Sequence, residues 1–301
     1  SILKLGLDNF GLYIVILTYS SLIKLFDLGI ASSALKFLSS KNITKKNQSD
    51  IIFVSFTFYI IYFFILSIIS YFLISFFYEY LISDKIANFT QIEYLNLLKY
   101  SVVFTYLSIM TSILENIVRG LHCYYLFSFF KIIGNIIQTI FLFIMLENNN
   151  ITLLFQAQII NHIFLFICGI FIIFYLNGFL SKITFKFYFK VFSELFKYGI
   201  KFYFGSSINY LFLVSQKIFV NHFGSFELVG IYEIAHRLVT FLKQILTLPL
   251  TNYFPILNYG LKKNQLSKNT FYNNLINVFV NKISLFIFIL FIFCSYPISF
   301  L

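Results

Sequence analysis

The sequence predicts an all-α protein, a polytopic bundle of transmembrane helices. Three observations carry this. Of its 301 residues 59% are hydrophobic and only 11% charged, with a mean hydropathy of +0.87, outside the range of soluble globules. Apolar runs longer than the ~20 residues that cross ~30 Å of hydrocarbon recur along the whole length. The loops between these runs alternate between basic and non-basic, as cytoplasmic and external faces do. The runs are too long for strands and lack period-2 alternation.

Eight spans are expected, at about 9–36, 51–77, 95–118, 122–146, 151–176, 198–222, 228–254 and 275–301. The first connection carries Lys36, Lys41, Lys45 and Lys46 against Asp50. The second, 77–94, is acidic, with Glu79, Asp84 and Glu93 against Lys85. Arg119 and His122 mark the third, and the ENNN turn (147–150) holds only Glu147. Residues 177–201 bring Lys182, Lys186, Lys190, Lys197 and Lys201 against Glu194. His222 and Glu227 flank the next turn, and Lys262, Lys263 and Lys268 follow the seventh span. Residue 1 is therefore expected outside and residue 50 inside. The 181–201 segment reads as a basic amphipathic stretch lying along the cytoplasmic face.

Most of the lysines behind the net charge of +11 lie in those short loops, so the charge is topological and does not imply nucleic acid. Cys123, Cys168 and Cys294 have no metal or redox spacing and read as packing residues. No phosphate loop, nucleophile motif or metal constellation is present in the sequence, and none implies a cofactor.

Two segments echo one another. LGLDNFGLY (Leu5 to Tyr13) matches FGSFELVGIY (Phe223 to Tyr232), with Leu5–Gly6 on Phe223–Gly224 and Gly11–Leu12–Tyr13 on Gly230–Ile231–Tyr232. Both open a span that runs from outside to inside, so the repeat is parallel, about an axis along the membrane normal. The later copy follows a full span and the earlier only five residues, while the chain ends inside the apolar SYPISFL. A fragment of a longer protein is therefore expected. It would hold most of an N-terminal helical half (1–180, first span missing), a cytoplasmic basic linker (181–197) and the beginning of a C-terminal half (198–301), with about eight helices of 12–14.

The stretches LGLDNFGLYIVILTYSSLIKLFDLGIASSALKFLS (5–39), RGL (119–121), KYGIKFYFGSSINYLFLVSQKIFVNHFG (197–224) and VGIYEIAHRL (229–238) resemble the Wzx-like O-antigen and polysaccharide flippases. These belong to the multidrug/oligosaccharidyl-lipid/polysaccharide exporter superfamily. The resemblance covers essentially the whole chain through loose, glycine-rich and apolar motifs. It makes the first stretch a second span and the later one an eighth. Where that family often has an acid near the end of its seventh span, this chain has Gln216–Lys217, so no ion-coupling role carries over there.

Charged side chains at mid-bilayer cost roughly 2.5–3.5 kcal/mol on insertion scales, so they normally face a cavity or a partner. Lys24 lies about 22 Å into its span at 1.5 Å per residue. Lys243 stands at the same interval from Lys24 as Gly230 does from Gly11, at the same depth of its own span. The two symmetry-related lysines are expected to flank a central cavity. The plainer reading pairs Lys24 with Asp27 three residues on, whereas Lys243 has no acid three or four residues away. Glu233, His236, Arg237, Thr240 and Gln244 form one polar stripe facing water or, more plainly, a helix stabilised by the Glu233–Arg237 pair. Pro249 is expected to bend that helix. Arg119 lines the cavity or simply anchors the cytoplasmic boundary beside Glu115. Asn135, Gln138, Gln158, Asn161 and His162 bind sugars or, more commonly, join helices.

The resemblance implies a transporter, not an enzyme, with no catalytic residue, cofactor or metal. It would flip polyprenyl-pyrophosphate-linked oligosaccharide repeat units across the inner (plasma) membrane, for surface polysaccharide such as lipopolysaccharide O-antigen. Lys24, Lys243, His236, Arg237 and Arg119 are the candidate substrate-binding residues, because cations in a low-dielectric cavity suit pyrophosphate. Asp27, Glu233, Thr240, Gln244 and Lys217 are the supporting polar set. Membrane lipids and polysaccharide-assembly proteins are the expected partners beside the lipid-linked oligosaccharide. A cation-coupled multidrug antiporter would want unpaired buried acids, and here Asp27, Glu115 and Glu233 each have a basic neighbour. A polymerase would want a large external loop, and an acyltransferase an intramembrane His/Asp constellation.

Overall fold

The computed structural model describes residues 6–26, 28–40, 44–81, 91–145, 150–177 and 188–261. Among these residues there are eight α-helices, one short 3-10 helix and no strand. In order they are α1 (Leu7–Ser21), the 3-10 helix (Leu22–Phe26), α2 (Ile30–Leu38), α3 (Lys45–Leu81), α4 (Gln91–Gly120), α5 (Tyr124–Met145), α6 (Thr152–Asn177), α7 (Phe189–Phe223) and α8 (Phe226–Leu261). The protein is an all-α polytopic bundle, as its composition implies.

Among the described residues four stretches are long and apolar enough to cross a membrane: Lys45–Leu66, Tyr94–Gly120, Tyr124–Met145 and Thr152–Tyr175. A fifth exists if Leu7–Leu25 and Ile30–Leu38, inclined by 60°, count as one broken span. The spans expected at 198–222 and 228–254 fall on α7 and α8. Asn209, Gln216 and Lys217 in the one, and Glu233, Arg237 and Lys243 in the other, lower their hydropathy below that of the first four. The span expected at 275–301 lies outside the described residues.

The first span is not the single helix expected at 9–36. Thr18, Ser20 and Ser21 turn their hydroxyls back onto the carbonyls of Ile14, Leu17 and Thr18 at 2.7, 3.1 and 2.7 Å. Such bonds satisfy the hydroxyls in dry surroundings but compete with the helical ladder. The backbone then tightens into the 3-10 turn and reaches Gly29 at φ 70°. A residue with a Cβ takes that left-handed conformation at a cost of roughly 1–2 kcal/mol. Here a Cβ would also lie 2.5 Å from the carbonyl oxygen of Gly199 on α7. Glycine at 29 therefore serves both the turn and the close approach of two backbones.

That approach is pinned by hydrogen bonds. Ser33 donates to the carbonyls of Leu195 at 2.7 Å and Gly29 at 3.1 Å. The Tyr59 hydroxyl accepts the Ala31 amide at 3.2 Å, which satisfies one of the orphan donors that open α2. Around this joint Ile30, Ala34 and Leu38 of α2 meet Ile52 of α3, Ile117 of α4 and Leu195 of α7 in one apolar core. Residues 189–197 are the first turns of α7, continuous with its span.

The α4–α5 connection closes in a compact turn. His122 sits at φ 61°, its amide donates to Arg119, and the Cys123 amide donates to Val118. This is the Schellman arrangement, with histidine in the left-handed position that glycine usually fills. Farther along, α6 packs on α4 and α5 through Gly169 against Leu114 and Phe127, and through Asn161 against Gly134. Small residues let membrane helices approach in this way. The outward faces of α5 and α6 carry Phe129, Ile136, Phe143, Ile167 and Phe171, all exposed, as lipid-facing surfaces should. The chain divides into two compact units, Ser1–Tyr232 and Glu233–Leu301. This boundary falls within α8.

Candidate functional site

In the first unit the broken span places Lys24 on the 3-10 turn, in the interior of the helical layer. Its Nζ lies 6.0 Å from the ring centre of Phe104 on α4, within cation–π reach. Phe104 in turn packs on the His162 ring at 5.2 Å, and His162 Nδ1 lies 2.9 Å from the Thr111 hydroxyl. One turn away Gln158 of α6 donates to the Tyr13 hydroxyl of α1. Helices α1, α4 and α6 thus converge on a polar seam with Lys24 at one end. Among the described residues no carboxylate pairs with Lys24. Asp27, its expected partner, lies outside the described residues.

A second cationic group gathers around one acid. Glu115 of α4 holds Arg119 through Oε1 at 3.1 Å and Lys131 of α5 through Oε2 at 3.2 Å. Arg119 also lies over the Tyr124 ring at 4.4 Å. Two cations against one carboxylate leave a net positive charge. The expected Arg119–Glu115 pair is present, so the anchoring reading and the cationic reading coexist at this residue. Lys131 is the residue that sequence reasoning missed. The signal was available, a lysine about 10 Å into an apolar run at 1.5 Å per residue. It has no acid three or four positions away, and its partner sits on the preceding helix.

In the second unit Arg237 Nε donates to Glu233 Oε1 at 2.8 Å, with Glu233 buried and Arg237 exposed. Thr240 bonds back to the carbonyls of His236 at 2.7 Å and Arg237 at 3.0 Å. His236 is half-buried, and Lys243 and Gln244 are exposed. The polar stripe is thus one continuous face of α8, stabilised as the plainer reading expected. Helix α8 continues through Pro249. Lys24 and Lys243 therefore differ in local backbone, one on a 3-10 turn and one within an unbroken helix. They fall in different units.

The remaining candidates have structural partners. Asn161 Nδ2 donates to Gln138 Oε1 at 2.8 Å and to Asn135 Oδ1 at 3.2 Å, which joins α6 to α5. Lys217 of α7 is half-buried beside Gln216, whose side-chain oxygen accepts the Tyr232 hydroxyl at 2.6 Å. Burial pushes the Cys123 thiol up from its ordinary value, which disfavours the thiolate a nucleophile would need. Among the described residues no group of His, Cys, Asp and Glu could hold a metal ion. Glu115 and Glu233, the described acids of the two cationic groups, are both paired with cations.

Neither the curated proteins nor the solved structures contain a match to the chain. A family model does match, over residues 4–259, and that span includes every candidate residue named above. The chain belongs to the family described as polysaccharide biosynthesis protein.

Proposed function

We propose that the protein flips a polyprenyl-pyrophosphate-linked oligosaccharide repeat unit from the cytoplasmic to the external leaflet of the inner (plasma) membrane. The family supports the polysaccharide context, and the helical bundle supports transport without bond chemistry. The observation that carries the reading is Lys24, a lysine within the helical layer that meets an aromatic ring and, among the described residues, no carboxylate. A pyrophosphate head must shed water to cross, and fixed cations along its route replace that hydration. Arg119 lies nearer the cytoplasmic entry, where it would meet the head first. Lys243, His236 and Arg237 serve the same role along α8, with Glu233, Thr240 and Gln244 holding their positions. Asp27 tunes Lys24, and Lys217 adds charge on α7. Lipid-linked oligosaccharide, membrane lipids and polysaccharide-assembly proteins are the partners in this reading.

The test is rescue of surface polysaccharide in a flippase-deficient cell by the full gene product, with membrane abundance checked. Lys24→Ala combined with Asp27→Asn, and Lys243→Glu alone, should each lower export while leaving abundance near that of the parent. Lys243→Arg should export better than Lys243→Glu. Normal export by Lys243→Glu at normal abundance would remove the cationic mechanism.

A further inference from the structure

Helix α4 meets cations at both ends of one face. Phe104, Ser108, Ser112, Glu115 and Arg119 recur every three or four residues, so they share a side of the helix. Lys24 meets this face at Phe104, 6.0 Å from the ring centre. Lys131 of α5 meets it at Glu115, beside Arg119. From Phe104 to Arg119 the helix rises about 22 Å at 1.5 Å per residue. Every α4 residue between Phe104 and Glu115 is uncharged. All of these residues lie in the first unit.

The stretch between the cations is polar where the neighbouring surface is not. From Phe104 to Gly120 no large apolar side chain of α4 is exposed, whereas Ser112 is, and Ser108, Glu115, Asn116 and Arg119 are half-buried. On α5, Phe129, Ile132 and Ile136 are exposed, as lipid-facing side chains are. Hydrocarbon offers a polar group no hydrogen bond, so polar side chains in a membrane turn to water or to a partner. The α4 face also has bonding capacity in reserve. Ser108 donates to the Thr105 carbonyl at 2.8 Å, and Asn116 Nδ2 to the Ser112 carbonyl at 2.9 Å. The Ser108 oxygen and the Asn116 side-chain oxygen are still able to accept. Among the described residues the Ser112 hydroxyl makes no hydrogen bond, and neither does the buried Arg119 Nε.

A lipid-linked oligosaccharide carries the polyprenyl chain on one side of its pyrophosphate and the first sugar on the other. With the head on Arg119 and Lys131, the chain meets the exposed Phe129 and Ile132 of α5, and the first sugars meet the uncharged strip of α4. A hydroxyl both donates and accepts, so sugar and serine hydroxyls pair with one another, whereas a phosphate is drawn to the cations. We propose that Ser108, Ser112 and Asn116 form a sugar subsite, which hydrogen-bonds the sugars next to the pyrophosphate. The proposal rests on the flippase reading. It makes binding depend on the glycan as well as on the head.

Cysteine labelling tests this in the reconstituted full gene product, with Cys123, Cys168 and Cys294 replaced. Two probes are compared, polyprenyl pyrophosphate alone and the same lipid carrying the oligosaccharide repeat unit of the source cell. Ser112→Cys should react with a water-soluble thiol reagent about tenfold faster than Phe171→Cys on the lipid face, because apolar surroundings disfavour the thiolate. The lipid-linked oligosaccharide, at about ten times its half-protecting concentration, should slow Ser112→Cys about tenfold. Polyprenyl pyrophosphate at the same concentration should leave the rate unchanged. Ser112→Cys as inert as Phe171→Cys, no slowing by the oligosaccharide, or equal slowing by both lipids overturns the subsite. A second measurement reads protection at Ser108→Cys. Ser112→Ala should raise the half-protecting concentration about threefold, and Ser112→Ala with Asn116→Leu about tenfold, as lost hydrogen bonds require. Unchanged values at parent abundance overturn the proposal. A parent protein that flips neither lipid, yet is protected by the oligosaccharide alone, would remove the transport reading and uphold the subsite.

Discussion

Lys131 of α5 and Arg119 of α4 share one carboxylate, Glu115, at 3.2 and 3.1 Å. Both cations are partly exposed, so solvent screens each pair and either contributes of the order of 1 kcal/mol or less to stability. Glu115→Gln should thus lower stability only modestly, measured as a small shift in thermal unfolding in detergent. Lys131→Ala should leave abundance near the parent level and lower export, because it removes net positive charge from the route. Lys131→Arg should restore export. If Lys131→Ala exports like the parent, the triad is a structural clamp alone.

Gly29 should be the least tolerant position of the first span. Gly29→Ala combines the left-handed penalty, roughly 1–2 kcal/mol, with overpacking of roughly 1–3 kcal/mol against the Gly199 carbonyl. A loss of about 3 kcal/mol should appear as sharply reduced membrane abundance. Gly205→Ala, with open space around it on α7, is the control and should be neutral to slightly stabilising.

Asn161 joins α6 to α5, and interhelical hydrogen bonds of this kind average about 0.6 kcal/mol each in membranes. Asn161→Ala should cost about 1 kcal/mol in unfolding and leave export per folded molecule unchanged. A selective loss of export would return Asn161, Asn135 and Gln138 to the sugar-binding role that the sequence left open.

The helical class and most helices were legible because apolar run length and loop charge act locally. The break between Leu22 and Gly29 was not, since Lys24 and Asp27 read as polar positions within one continuous span. Its traces are the Thr18–Ser21 hydroxyls and Gly29, and the partner that makes glycine necessary, Gly199, lies on another helix. Lys131 was passed over for the same reason, because i,i+4 reasoning cannot find a partner across a turn. The repeat was visible as text, whereas the contact between its copies, Gly11 against the Phe226 carbonyl, required the fold.

The central claim, movement of a pyrophosphate-linked oligosaccharide by fixed intramembrane cations, is tested most directly in proteoliposomes. The full gene product would be reconstituted with a polyprenyl-pyrophosphate oligosaccharide bearing a fluorescent sugar, and the label quenched from outside over time. The account predicts protein-dependent loss of the protected fraction. The Lys24→Ala/Asp27→Asn variant should slow it about tenfold, the rate equivalent of 1.4 kcal/mol in the barrier. Translocation at the same rate by that variant, or at the same rate without protein, would contradict it.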